Sequence, residues 1–201
     1  MVKCAVLGWG SLIWKPEELK TAAPFAPNGP LLPIEFCRVA KDGRLTLAID
    51  ETFGDVCKTY SAPSALDDLD AALLNLWIRE GSADEPRPRD VRTHGRVGFV
   101  ELVSGSQSDA AMERHPQAAA TIAAWAEASG YDAAIWTALE SNFDESGKAG
   151  EPFSVTAAIR YLEKLKKEHR AAFDLALDYI RKAPPEVQTP VRDEVAKHWP
   201  Q

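Results

Sequence analysis

A glycine-rich turn near the start of the chain carries the first residues whose types and spacing could do chemistry. Gly8 and Gly10 are one residue apart, and Ser11 follows at once. Two glycines at this spacing allow positive φ angles and expose consecutive backbone N–H groups, which together bind a carboxylate or one edge of a phosphate. Ser11 can add a hydroxyl group, and Trp9 can form a wall. The alternative is a plain connection between a strand and a turn, with Trp9 and Trp14 in the core.

Three well-known loop motifs do not fit this turn. A dinucleotide-binding loop needs a third glycine and a helix directly after it, whereas Ile13 occupies that position and Pro16 follows. A P-loop needs Gly-Lys-Ser or Gly-Lys-Thr, which is absent from this turn. A nucleophile elbow has its serine between two glycines, whereas Ser11 comes after the second glycine. The turn is therefore interpreted as a site for a small anion.

A second candidate, Glu80, lies in the last turn of the clearest predicted helix, residues 64–81. Ser64 is of the type that caps a helix N-terminus, and Gly81 is of the type that ends one. The apolar stripe of this helix consists of Leu66, Leu69, Leu73 and Trp77. The helix macrodipole disfavours a negative charge at the C-terminal end, so a carboxyl group there that faces an apolar cavity is suited to proton transfer. The alternative is an exposed glutamate beside Arg79 at a frayed helix end.

Residues 8–14, with the sequence Gly-Trp-Gly-Ser-Leu-Ile-Trp, resemble the N-terminal Gly-Tyr-Gly-Ser-Leu-Ile-Trp signature of the gamma-glutamylcyclotransferase family, especially its ChaC-like branch. In that family the loop lies at the mouth of a small mixed β-barrel, and its backbone N–H groups hold the substrate carboxylate. The resemblance covers the first half of the chain, whereas the helical C-terminal part is only loosely similar. It implies substrate contacts by Gly8, Trp9, Gly10, Ser11 and Leu12.

The family also places an essential glutamate at the end of a helix, in a stretch that contains Arg-Glu. Residues 76–81, Leu-Trp-Ile-Arg-Glu-Gly, are similar to that stretch, and the resemblance implies that Glu80 is catalytic. Two positions depart from the family pattern. Trp9 stands where the family usually has tyrosine, and Ser82-Ala83-Asp84 follows the glutamate where a tyrosine is usual. Both departures bear on the identity of the substrate and on activity.

The implied reaction is intramolecular. The α-amine of a γ-glutamyl amine or amide attacks its own γ-carbonyl, which releases 5-oxoproline and a free amine. No cofactor is needed, because the substrate supplies the nucleophile. One carboxyl group, that of Glu80, can take a proton from the amine and then protonate the leaving nitrogen, a contribution of typically ~10²–10⁴-fold. The rival hypothesis is a non-catalytic module on the same fold that binds a small anion, a metabolite or a partner protein.

Other residues are weaker candidates for the site. Glu35, Glu51 and Glu101 are the competing acids, of which Glu35 and Glu101 lie on predicted strands. Asn142 follows the last predicted strand and is predicted to make a polar contact with the ligand, since binding residues favour such loops. The four histidines are scattered and the three cysteines form no CxxC pair, so neither a metal site nor a disulfide framework is predicted.

The elements that must position these residues form an α+β pattern. Predicted strands cover residues 3–7, 34–40, 44–50, 56–60, 95–103 and 133–139. Predicted helices cover 64–81, 116–129 and most of the C-terminal quarter, with a break at Pro184-Pro185. Predicted connections are a helical turn at Pro16, an irregular loop over 22–33 and a charged loop over 82–90, which is either a lid or a plain surface loop.

The strands cluster early and do not alternate regularly with helices. This order predicts a small mixed, curled sheet or a β-barrel with surrounding helices. The whole chain, 1–201, is predicted to be one domain in which residues 150–201 form a helical C-terminal extension.

Composition limits the class of partner. The chain has 201 residues, and 45% of them are hydrophobic and 26% charged, as in ordinary globular domains. The net charge of −7 opposes binding to nucleic acid and to anionic membranes, and no stretch has the pattern of a signal peptide or a membrane span. Three unpatterned cysteines suit a reducing compartment, which predicts a cytoplasmic location. The expected partner is a small γ-glutamyl-type substrate, and its amine half and the oligomeric state stay open.

Overall fold

The computed structural model describes residues 2–81 and 88–200, without the side chains of residues 88–90. The strands in this part of the chain are β1 (Cys4–Gly8), β2 (Leu31–Val39), β3 (Leu45–Ile49), β4 (Asp55–Lys58), β5 (Tyr60–Pro63), β6 (Val97–Glu101), β7 (Ser106–Gln107) and β8 (Ala133–Thr137). The helices are α1 (Ser11–Trp14), α2 (Leu69–Arg79), α3 (Pro88–Thr93), α4 (Asp109–Arg114), α5 (Pro116–Ala128), α6 (Val155–Glu168), α7 (Arg170–Lys182) and α8 (Pro190–His198). The fold is therefore α+β, as predicted, and three helices make up most of the C-terminal quarter.

The chain folds into two compact units. The first consists of Met1–Leu32 and Lys58–Leu139, and the second consists of Pro33–Cys57 and Glu140–Gln201. Each unit is therefore built from two stretches of sequence, and the chain passes between the units three times.

The first unit contains a five-stranded mixed sheet in the order β5-β1-β8-β6-β7. β1 and β8 are parallel, whereas β1 pairs with β5, and β6 with β7 and β8, in the antiparallel sense. All five residues of β1 are buried, as expected of an inner strand that is covered on both faces. The predicted mixed sheet is confirmed. In the described residues neither sheet closes into a barrel, since each strand order has two free ends.

Helix α2 packs on one face of this sheet. The buried residues that it shares with the strands include Leu69, Leu73, Leu76 and Trp77. Its predicted end is confirmed, because Gly81 follows with φ +79°. Its predicted start at Ser64 is wrong. The Ser64 N–H donates to the carbonyl of Cys4 at 2.8 Å and so continues the sheet, and the helix begins only at Leu69, with Asp68 as the N-cap.

The second unit contains the three-stranded sheet β3-β2-β4. β2 and β3 form the predicted hairpin, with Gly43 at φ +85° in the turn. The predicted strand over 56–60 is divided, because β4 ends at Lys58 and Tyr60 begins β5 of the other sheet. The chain here leaves one hydrogen-bonded ladder and enters another, which residue type alone does not reveal.

Two predicted connections also differ from the structure. The predicted helical turn at Pro16 is absent, and the short helix α1 instead directly follows Gly10. The predicted loop over 22–33 ends early, because β2 begins at Leu31. The predicted charged loop over 82–90 falls mainly on residues 82–87, which lie outside the described residues, and α3 begins at Pro88.

A close contact between β6 and β8 requires a glycine at position 98 of the sheet. Gly98 lies directly opposite Trp136. A Cβ atom at position 98 would lie 2.4 Å from Trp136 Cε2, and Trp136 is only 1% exposed. The indole ring thus occupies the space that any other side chain would need.

We expect Gly98→Ala to destabilise the protein by about 1–3 kcal/mol, because the added methyl group overpacks a buried ring that has little room to move. The free energy of unfolding from urea denaturation measures this. Val103→Ala is the control, because Val103 is 82% exposed and its truncation should change stability by less than about 0.5 kcal/mol. Equal effects of the two substitutions would contradict the packing argument.

Candidate functional site

The predicted anion loop leaves the sheet at an edge where three strand ends meet. Gly8 ends β1 and Thr137 ends β8, and the two strands run parallel. Thr137 pairs with Val97, the first residue of β6. The end of β1, the end of β8 and the start of β6 therefore lie together, and we call this the loop edge. Ligands in open sheets commonly bind outside the carboxyl ends of parallel strands.

The glycines of the loop are required for a different reason from the predicted one. Neither Gly8 nor Gly10 has a positive φ, so the predicted left-handed backbone is wrong. A Cβ atom at Gly8 would lie 3.0 Å from Phe25 Cε1, which shows that this glycine leaves room for a packed ring. Trp9 and Leu12 are buried, at 5% and 6% exposure, and Leu12 belongs to the core under α2.

The loop nevertheless presents consecutive backbone donors. Gly10 is the N-cap of α1, so the N–H groups of the first helical turn have no acceptor within the helix. Among the described residues, no hydrogen bond has the N–H of Gly10, Ser11 or Leu12 as its donor. The next N–H, that of Ile13, donates to the Gly10 carbonyl at 3.0 Å. Three adjacent amides are thus available at the loop edge, which suits a carboxylate or a phosphate edge.

Helix α2 is tied to the segment that follows the loop by two side chains, four residues apart. Arg79 Nη2 donates to the Lys15 carbonyl at 2.7 Å, and Arg79 Nε donates to the Pro16 carbonyl at 3.1 Å. Asn75 Nδ2 donates to the Glu18 carbonyl at 2.8 Å, and Asn75 Oδ1 accepts from the Lys20 N–H at 2.7 Å. We call this set of bonds the Asn75–Arg79 clamp.

The guanidinium group of Arg79 also contacts the predicted anion loop itself. Its Nη2 lies 3.4 Å from Ser11 Oγ, and the side chain is only 11% exposed. Its Nε lies 3.6 Å from Glu17 Oε2. One alternative from the sequence was an exposed Glu80 beside Arg79 at a frayed helix end. Its side chain instead places a positive charge beside the loop amides.

Glu17 is held in an unusual backbone conformation by this arrangement. Its φ is +53°, which is rare for a residue with a side chain. A hydrogen bond from Lys15, together with the positive charge of Arg79, lowers the pKa of the Glu17 carboxyl group. Lys15 Nζ lies 2.9 Å from Glu17 Oε1. Non-glycine residues in this region concentrate at functional sites, because surrounding contacts must hold them there.

Glu80 is the C-cap of α2 and is half-buried. Its N–H donates to the carbonyls of Leu76 and Trp77, and its own carbonyl accepts from Arg96 Nη1 at 3.1 Å. Arg96 directly precedes β6 and so lies at the loop edge. Since the neighbouring Arg79 reaches Ser11, the structure brings the backbone of Glu80 and the loop residues 8–12 to one edge of one unit.

The competing acids belong to other parts of the fold. Glu101 ends β6 and pairs with Ala133 at the start of β8, so it lies at the opposite edge of the same sheet. Glu35 and Glu51 belong to the second unit. Of the two predicted acids in the first unit, Glu80 lies at the loop edge and Glu101 does not.

Asn142 also belongs to the second unit. Its Oδ1 accepts from the Val39 N–H at 2.8 Å, and its Nδ2 donates to the Val39 carbonyl at 3.1 Å. The side chain is 4% exposed. The amide group therefore substitutes for a strand neighbour along β2, and its predicted contact with a ligand stays a prediction without support from these bonds.

Glu35, a competing acid in the sequence analysis, is a buried carboxyl group that binds backbone N–H groups. Its Oε1 accepts from the Phe36 N–H at 2.6 Å, and its Oε2 accepts from the Val191 N–H, in the first turn of α8, at 3.2 Å. Burial raises the pKa of Glu35 to about 7, although hydrogen bonds from Thr189 and from these two N–H groups oppose the rise. With 0% exposure, the side chain connects β2 to α8 inside the second unit.

Metal and thiol chemistry receive no support from the described residues. No group of three or more His, Cys, Asp and Glu side chains in this part of the chain could hold a metal ion. Burial raises the pKa of Cys57 to about 11 and raises that of Cys37 well above its usual value, which disfavours thiolates. All three cysteines are buried and free.

No family model, no curated protein and no solved structure matches the chain. Within the described residues, no helix combines the length and the apolar character needed to cross a bilayer. A functional proposal for this chain therefore depends on the local resemblance of residues 8–14 and on the geometry of the loop edge.

The raised pKa of Glu35 makes stability depend on pH. The ordinary pKa is 4.5 and the folded value is about 7, so the folded protein retains a proton that the unfolded chain has already released. The corresponding stabilisation is complete below about pH 4.5 and is lost as the pH rises through about 7, an effect on the order of 3 kcal/mol.

Glu35→Gln has no carboxyl group to ionise, so it should not lose this stabilisation as the pH rises. We therefore expect the difference in free energy of unfolding, Glu35→Gln minus the unsubstituted protein, to increase by on the order of 3 kcal/mol between about pH 4.5 and 7.5. Urea denaturation at both pH values measures this difference. The absolute stability of the variant is not the test, because the glutamine amide must face one backbone N–H. Parallel pH dependences of the two proteins would show that Glu35 does not titrate in this window.

Proposed function

We propose that this protein is a cyclotransferase of the gamma-glutamylcyclotransferase type, which releases 5-oxoproline from a small γ-glutamyl amine or amide. The observation that carries the proposal is the contact of Arg79 with Ser11, because it joins the end of the helix that bears Glu80 to the loop that resembles the family signature. The cytoplasm is the proposed location, since three free cysteines suit a reducing compartment.

In this proposal the substrate carboxylate binds at the loop. The N–H groups of Gly10, Ser11 and Leu12 donate to its oxygens, and the Ser11 hydroxyl adds a fourth donor. Gly8 and Trp9 set the path of the backbone into α1. The positive charge of Arg79 beside Ser11 favours an anion there, since charge-assisted hydrogen bonds are the stronger ones.

Glu80 acts as base and then as acid. It takes a proton from the substrate α-ammonium group, and the free amine attacks the γ-carbonyl carbon to form the ring C–N bond. Glu80 returns the proton to the leaving nitrogen as the tetrahedral intermediate expels the amine. The regenerated carboxylate then takes the second proton from the ring nitrogen and passes it to the released amine. Bond formation and bond cleavage balance without an oxidant, a reductant or a cofactor. General acid–base catalysis of this kind contributes about 10²–10⁴-fold.

A second candidate function is binding without turnover, and the burial of Trp9 favours it. The family signature has a tyrosine at this position, whereas the Trp9 side chain is 5% exposed and brings no hydroxyl group. In that case the loop amides and Arg79 would still hold a small carboxylate or another metabolite anion. The two candidates differ in whether 5-oxoproline is formed.

We expect the purified protein to release 5-oxoproline from at least one member of a panel of glutathione, γ-glutamyl dipeptides and γ-glutamyl amines. Glu80→Gln should lower the rate by about 10²-fold or more, because it removes the proton carrier. Glu101→Gln is the matched control at the opposite edge of the sheet and should retain the full rate. Chromatographic detection of 5-oxoproline provides the measurement.

Release that survives in Glu80→Gln would overturn the assignment of the base. The absence of release from every panel member, together with saturable binding of glutamate or 5-oxoproline in calorimetry, would establish the non-catalytic function. Absence of both would overturn both candidates.

A further inference from the structure

A rigid turn before β6 positions Arg96. Gly95 has φ +75°, and its carbonyl accepts from Arg114 Nη1 at 2.6 Å. The same Arg114 nitrogen lies 3.3 Å from the Ala138 carbonyl, and the Ala138 N–H donates to the Arg96 carbonyl at 2.9 Å. The backbone of Arg96 is thus fixed between the ends of α4 and β8.

The side chain of Arg96 extends from this turn to the end of α2. Its Nη1 donates to the Glu80 carbonyl at 3.1 Å, and its guanidinium carbon lies 5.1 Å from the ring centroid of Trp77. His94 packs edge-on against the same indole, with 4.8 Å between ring centroids. Arg96 Nε is buried and has no hydrogen-bond partner among residues 2–81 and 88–200. The side chain therefore gives up one hydrogen bond of its own while it holds this position.

The bond to Glu80 meets a specific need of a helix end. The last four carbonyls of a helix have no partner within the helix, and helix ends fray for this reason. Arg96 binds the carbonyl of the C-cap residue itself, and it adds a positive charge where the macrodipole is negative. The exposed Gly81 follows immediately, and its N–H donates to the Ile78 carbonyl at 3.0 Å.

From these contacts we infer that Arg96 is a positioning residue for Glu80, which holds the main chain of the base at the loop edge through its hydrogen bond to the Glu80 carbonyl. This inference rests on the proposed function for its catalytic meaning. Its structural content, the fixing of the C-cap of α2 by Arg96, stands independently of that function and has its own readout.

The test uses the full chain with Arg96→Ala and Arg96→Lys. With the best γ-glutamyl substrate of the panel, we expect Arg96→Ala to lower kcat by roughly 10–100-fold with KM within about threefold, since a small displacement of a catalytic group costs rate rather than binding. Arg96→Lys should recover part of kcat, because an ammonium group can still donate to the carbonyl. Hydrogen exchange should show faster exchange of the Glu80 and Gly81 amides in Arg96→Ala.

Arg92→Ala is the matched control. Arg92, in α3, also lies over an aromatic ring, that of Phe99, at 5.0 Å, and it pairs with Asp70 in the first turn of α2. It should cost stability without changing kcat or exchange at residues 80–81. Thermal denaturation of all variants separates loss of folded protein from loss of rate.

The outcomes are distinct for the two proposals. Unchanged kcat and unchanged exchange in a folded Arg96→Ala variant would overturn the inference, as would an increase in KM alone. If the unsubstituted protein releases no 5-oxoproline, the proposed function fails, and the amide exchange decides the inference by itself. Faster exchange confined to the end of α2 then supports the positioning role, and unchanged exchange overturns it.

Discussion

The architecture of the loop edge depends on one guanidinium group, that of Arg79. It is nearly buried, and it binds two backbone carbonyls after α1 as well as approaching Ser11. Asn75 repeats the arrangement one helical turn earlier. Because these bonds go to the backbone, they fix the position of α2 along the segment independently of the side chains in that segment. The end of α2, with Glu80, is thereby held at the loop, and Glu17 is held in its left-handed conformation.

Much of the fold could be predicted from local patterns. The α+β class, the hairpin turn at Gly43 and the helix end at Gly81 follow from composition, alternation and the preference of glycine for positive φ. The start of α2 could not be predicted, because Ser64 is recruited by strand pairing with a residue 60 positions away. The division of the run 56–60 between two sheets has the same cause. Non-local pairing competes with local preference and leaves no local signal.

The candidate site was predictable only in part. The loop and Glu80 are predicted through a resemblance of sequence, and contacts of Arg79 and Arg96 bring the backbone of Glu80 to the loop edge. Arg79 and Arg96 were not identified as site residues, because long charged side chains give no sequence signal of the carbonyls that they bind. Glu35 and Asn142 show the converse. Both are polar residues of the kind that sequence analysis selects for chemistry, yet both bind backbone groups inside the second unit.

The inner position of β1 determines the order in which the chain can acquire its structure during synthesis. β1 leaves the ribosome before its parallel partner β8, which follows more than a hundred residues later. Meanwhile Pro33–Cys57 has emerged without Glu140–Gln201, the stretch with which it forms the second unit. Parallel pairing at such sequence separation is slow, and unpaired strands are prone to aggregate. Until β8 emerges, β1 therefore lacks its partner on one side, and a truncation before residue 139 leaves neither unit complete.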